Sequence, residues 1–156
     1  LHTADVLSCT AVSHLFWPTL NSHDMTPPVI IQRAIEEYQK EFTVRRARRE
    51  IKMLHSFGTV ELEIEREGIE PLSVTCSPLQ ATVLSAFTRK LSIPSASQVI
   101  NESRVSLTLK DVAEKCGVPE DVTRSALSFW AQKRVLAVSS NNLWSIMDAW
   151  HKEAAE

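Results

Sequence analysis

Ser13 and His14 are neighbours and Asp24 follows shortly after, and these three residue types are the ingredients of acyl-transfer chemistry. The serine must be held exposed, as on a GxSxG turn between strand and helix, and the chain contains no such string. His14 and His55 fall in strand-like stretches and read as hydrogen-bonded structural histidines. Cys9, Cys76 and Cys116 together with five histidines equal the eight ligands of a two-zinc site. Zinc sites are built from close pairs such as CxxC, and these residues are dispersed along the whole chain, so no metal and no cofactor is expected. Gly58, Gly68 and Gly117 are the only glycines, too far apart to let a backbone cradle phosphate. No catalytic residue is assigned.

A second chemistry-bearing pattern is the basic run Arg45, Arg46, Arg48, Arg49 and Lys52, the kind of cluster that displaces counterions from a phosphate backbone. Glu61, Glu63 and Glu65 follow on an alternating stretch, and the run reads as a solvated strand neutralised by that acidic neighbour. The whole chain agrees with this reading. Its 156 residues carry 17 Lys and Arg against 19 Asp and Glu, a net charge of -2, so no global field attracts nucleic acid. With 44% hydrophobic and 23% charged residues the composition is that of a globular chain. There is no apolar run of ~20 residues and no signal-peptide pattern, and the scattered cysteines fit a reducing compartment. The sequence is expected to be soluble and intracellular. It opens on Leu1 rather than Met, as expected of a piece of something longer.

The elements that would position these residues begin with a strand over Ser8–Phe16, closed by Trp17-Pro18. Thr26-Pro27-Pro28 is a helix start, and Ile31, Ala34, Ile35, Tyr38 and Phe42 recur at helical spacing to about Phe42. A hairpin follows: Ile51–His55, a turn at Ser56-Phe57-Gly58, then Val60, Leu62 and Ile64 alternating with glutamates. With the turn centred between Ser56 and Phe57, Val60 faces Met53, Leu62 faces Ile51, Glu61 faces Lys52 and Glu65 faces Arg48. Gly68–Pro71 turns the chain into a third strand, Leu72–Cys76.

From Ser77 the periodicity becomes helical. Ser77-Pro78 opens a helix with Leu79, Val83, Leu84 and Phe87 on one face, and Leu91–Arg104 reads as a loop. Leu107 begins a new unit in which Thr108 and Asp111 start a helix that Gly117 stops. Pro119 opens another helix, buried through Val122, Ala126, Phe129 and Trp130. Strands Val135–Val138 and Leu143–Met147 flank a polar tip. Helix, strand, helix, turn, helix and hairpin is the order of a winged helix. Its second helix begins with Glu120 and Asp121, which repel phosphate, so protein contact or simple packing is favoured over nucleic acid. Trp17, Trp130 and Trp144 are expected in the core. Trp150, on the amphipathic tail IMDAWHKEAAE, is the aromatic expected to face a partner.

The strings LFWP, LHSFGTVELEI and LSVTCSPLQATVLSAF, followed by LTLKDVAEKCGVPEDVTRSALSFWAQKRVL, resemble the cullin homology region of multisubunit ubiquitin ligase scaffolds, from about Cys9 to Met147. Met53 stands where that family usually has tryptophan, Ser92–Arg104 is longer than expected, and the family's final winged helix is missing. The resemblance implies an α+β fold: a cullin-type α/β part over 1–77 with a small antiparallel sheet and helix, a winged helix over 78–147, and a tail helix over 148–156. It also implies a non-catalytic scaffold. A RING-finger subunit would join the sheet by strand addition, touching Leu15, Phe16, Trp17, Val60, Leu62 and Val74, each of which reads equally as a residue of the chain's own core. That subunit would carry the zinc and hold a ubiquitin-conjugating enzyme, which this chain contacts only indirectly, for ubiquitin transfer to cell-cycle substrates. Further partners would be the other subunits of the ligase, in nucleus and cytoplasm, with no membrane. The alternative is a winged-helix nucleic-acid-binding module using Arg45–Lys52.

Overall fold

The computed structural model describes residues 7–20, 22–66, 69–88, 97–99 and 105–147. The first regular element is helix α1, Val29–Arg45, three residues longer than the apolar spacing required. Pro27 and Pro28 precede it, and the Pro28 carbonyl accepts from the amides of Ile31 and Gln32 at 2.9 and 3.0 Å. Thr26 does not cap α1. Its amide donates instead to the carbonyl of Cys116 at 2.7 Å, tying the lead-in of α1 to the C-terminal half of the chain.

Strands β1 (Val60–Arg66) and β2 (Ile69–Cys76) form an antiparallel pair. Val60, Leu62 and Ile64 lie opposite Cys76, Val74 and Leu72, so the apolar alternation of both strands points to the same face. The expected hairpin with Ile51–His55 is not formed. Those residues carry no strand assignment, and Glu61 and Glu63 of β1 face Thr75 and Ser73 rather than Lys52 and its neighbours. The energetics explain the choice of partner. An exposed cross-strand charge pair is worth about 0.2–1 kcal/mol, whereas burying one Val, Leu or Ile side chain is worth about 1.5–3 kcal/mol. Pairing with β2 buries two apolar rows over a common core. The expected strand Ser8–Phe16 is likewise absent: the segment turns at His14–Phe16, where the amides of Phe16 and Trp17 both donate to the Ser13 carbonyl at 3.1 Å. His14 and His55 therefore sit in turns rather than strands.

Strand β3 (Ser97–Val99) lies inside the stretch read as a loop and pairs in parallel with β1 from Glu63 to Glu65, giving the sheet order β2-β1-β3. The rest of that stretch, 91–96 and 100–104, lies outside the described residues, as do the tail 148–156 and Trp150.

Helix α2 (Pro78–Ser85) starts as its sequence requires. The Gln80 amide donates to Ser77 Oγ at 3.2 Å and the Ser77 amide to Gln80 Oε1 at 2.9 Å, a reciprocal capping box. Strand β4 (Leu107–Thr108) leads into α3 (Leu109–Cys116), capped the same way by Thr108 and Asp111. The hydroxyl and amide of Thr108 hold the Asp111 carboxyl below its ordinary pKa. Gly117 ends α3 at φ 65°, a left-handed conformation that only glycine adopts without strain. Helix α4 (Glu120–Gln132) follows, then β5 (Leu136–Val138) and β6 (Leu143–Ile146), which join β4 in a second sheet of order β4-β6-β5.

One continuous core runs through both sheets and helices α2–α4. Leu62, Ile64 and Val74 from the first sheet pack with Val83, Leu84, Phe87, Val112, Leu127, Trp130 and Leu136. Trp130 is fully buried, and its Nε1–H donates to the Gln80 carbonyl at 2.7 Å, linking α4 to α2. The buried Thr123 and Thr82 satisfy their hydroxyls on the carbonyls of Pro119 and Pro78, as buried polar groups must.

Candidate partner-docking surface

Leu15 is 75% exposed, Phe16 86% and Trp17 54%, with Val12 at 42% close by. Four large apolar side chains within six residues, on a segment without a sheet partner among the described residues, leave a bare patch of a kind that marks contact sites. Trp17 thus departs from the core reading, while Trp130 and Trp144 follow it. Val60 is half-buried, and Leu62 and Val74 are buried beneath the chain's own sheet. The six residues singled out from the sequence fall into two groups. Leu15–Trp17 present side chains outward, whereas Val60, Leu62 and Val74 expend theirs on the core. Backbone is a different matter. β2 is an edge strand, and β3 pairs with β1 only at Glu63–Glu65, so the amides and carbonyls along β2 and beside Val60–Leu62 have an open side among the described residues.

The turn His55–Gly58 is pinned to the chain ahead of α1: the His23 amide donates to Ser56 Oγ at 2.7 Å, and the Ser22 hydroxyl reaches the same oxygen at 3.2 Å. Phe57 at its tip is 48% exposed, a surface aromatic that the sequence reading did not include. Its signal was an aromatic between serine and glycine at a turn, where burial is hard to arrange. Between α1 and the extended Ile51–His55 segment lies an open groove of about 310 Å³, lined by Met25, Ile35, Glu36, Lys52, Met53 and His55 among others. It gathers no catalytic constellation. No group of three or more His, Cys, Asp or Glu able to hold a metal occurs among the described residues, and no described helix is long and apolar enough to cross a membrane. Cys76 and Cys116 are buried, and burial pushes both thiols up to about 11, the opposite of an activated nucleophile. In α4, Glu120 and Asp121 are exposed on the first turn.

The alpha+beta domain of cullins matches residues 11–151. The chain belongs to the cullin alpha+beta domain family. This cullin domain is similar to anaphase-promoting complex subunit 2 of Schizosaccharomyces pombe, 29% identical over 150 residues that make up 96% of the chain and 20% of the relative. Subunit 2 of Arabidopsis thaliana is 27% identical over 138 residues, 88% of the chain and 14% of the relative. Its Homo sapiens counterpart is 26% identical over 137 residues, 88% and 15% respectively. The cullin domain described here thus spans at most about a fifth of the length of these curated relatives.

Proposed function

We propose that this cullin domain is a non-catalytic scaffold in a ubiquitin ligase of the anaphase-promoting type, holding a RING-finger subunit by strand addition. The observation that carries the reading is the exposed segment bearing Leu15, Phe16 and Trp17, without a sheet partner among the described residues, set in a cullin domain. Strand addition draws affinity from main-chain hydrogen bonds and register from alternate side chains. In that mode Val60, Leu62 and Val74 serve the partner through backbone while their side chains stay in the core, and Leu15–Trp17 supply the side-chain contacts. The RING subunit brings zinc and the ubiquitin-conjugating enzyme. This chain fixes that assembly relative to cell-cycle substrates, a positional contribution to rate rather than bond chemistry.

Within the scaffold, 1–77 is the cullin-type α/β part and 78–147 a winged helix, with α4 as its second helix. The acidic first turn of α4 directs the winged helix to protein. Other ligase subunits, in nucleus and cytoplasm, complete the set of partners.

Co-expression of this chain with the RING subunit tests the proposal. A single complex should elute on gel filtration, and Leu15→Asp with Phe16→Asp should release the RING subunit without unfolding the chain. Separate elution of two well-folded proteins contradicts it.

A further inference from the structure

Phe57 is 48% exposed, yet it stands on a firmly held turn. Its amide donates to the Leu54 carbonyl at 3.2 Å and closes that turn. The Ser56 amide donates to Ser22 Oγ at 3.3 Å, and Ser56 Oγ accepts from the His23 amide at 2.7 Å. Gly58 follows at φ 109°, a backbone that favours glycine, and no atom lies within 4 Å of where a Cβ would stand. A single exposed apolar side chain is ordinary on a protein surface. One carried by a turn that a distant stretch of chain fixes in place is ordered before any partner arrives, so its contact costs little freedom.

We propose that Phe57 is a further anchor of the surface that docks the RING-finger subunit, continuous with Leu15–Trp17. The inference rests on the scaffold reading above. Two placements carry it. Ser22 and His23 pin the turn, and the five residues of chain from Trp17 to Ser22 span at most ~18 Å, which keeps the turn within reach of Trp17. A standard interface covers about 800 Å² on each partner, a patch about 30 Å across, wide enough for both. Phe57 also stands three residues ahead of Val60, where the backbone of β1 has an open side among the described residues. It therefore adjoins both the exposed segment and the open strand, and a partner that engages the two meets Phe57 as well. Aromatic rings are enriched in such contacts. With no polar atom to offer, the ring fits an apolar pocket on that subunit.

Isothermal titration of this chain with the zinc-loaded RING subunit tests the inference. Phe57→Ala should weaken binding by about tenfold, and Phe57→Leu, which keeps an apolar side chain of similar reach, should restore most of the loss. Val44→Ala, at an 84% exposed apolar position near the far end of α1, should bind as the unaltered chain does. Far-UV circular dichroism should be the same for all three variants, since both positions lie at the surface. If the unaltered chain binds and Phe57→Ala binds as tightly, Phe57 faces another ligase subunit or none, and the inference falls while the scaffold reading stands. An equal loss from Val44→Ala overturns it too, as a general effect of exposed apolar area. If the unaltered chain does not bind, the scaffold reading falls and takes the inference with it.

Discussion

Trp130 joins the two halves of the chain, and its removal measures how far they act as one unit. The side chain is fully buried, stands edge-on to Phe129 at 5.1 Å between ring centroids, and donates to the Gln80 carbonyl at 2.7 Å. Trp130→Ala removes the largest side chain of the core and leaves a cavity, a change that costs about 3–5 kcal/mol in comparable cores. Against a total stability of about 5–15 kcal/mol, that is a fifth or more of the whole. Trp130→Phe keeps most of the packing. It loses a hydrogen bond worth about 0.5–1.5 kcal/mol net and adds a smaller void at ~24 cal/mol per Å³, so its cost should lie near 1–3 kcal/mol. Urea unfolding followed by far-UV circular dichroism reads both. Because one cluster runs from Leu62 to Leu136, the unaltered chain should unfold in a single transition, and both variants should lower its midpoint. A cost below about 1 kcal/mol for Trp130→Ala, or two transitions of which only the later moves, would refute the single-core reasoning.

Gly117→Ala should destabilise by about 1–2 kcal/mol, since Gly117 sits at φ 65° and an added Cβ would come within 3.0 Å of Thr26 Oγ1; the same urea titration checks it, and an unchanged midpoint contradicts it. Ser77→Ala should cost about 1 kcal/mol through loss of the α2 cap, with no change in the slope of the transition. Cys76 and Cys116 should resist iodoacetamide in the folded chain near neutral pH and react fully in urea, whereas the half-buried Cys9 reacts in both; mass spectrometry assigns the sites. Their pKa of about 11 against 9.0 when unexcluded from water means that the unfolded chain releases protons first as pH rises. Stability should therefore be fully present below pH 9 and decline toward pH 11, by roughly 1–3 kcal/mol per thiol after allowance for screening.

The helix boundaries of the C-terminal half were legible, whereas β3 was read as part of a loop. Ser77-Pro78 with Gln80 starts α2, Thr108 with Asp111 starts α3, Gly117 ends it, and Pro119 immediately precedes α4, each in local chemistry. Strand partners were harder to read. The alternation of Val60, Leu62 and Ile64 shows which face is buried but is silent about which neighbour shares it. Met53 and Val74 satisfy the pattern equally, and only the three-dimensional core decides for β2. The Ser8–Phe16 stretch has strand-forming residues with no partner strand among the described residues, so propensity alone did not make a strand. The same limit divided the six contact residues. Burial of Leu62 and Val74 depends on β1 meeting β2, which no local spacing encodes, whereas Leu15–Trp17 stay outside because nothing among the described residues covers them.

Hydrogen–deuterium exchange of the chain alone and bound to the RING subunit tests the scaffold account most directly, since added strands protect backbone amides. The account predicts slowed exchange across residues 11–17 and along the open side of β1 or β2. A stable complex that leaves both regions exchanging as in the free chain would contradict it.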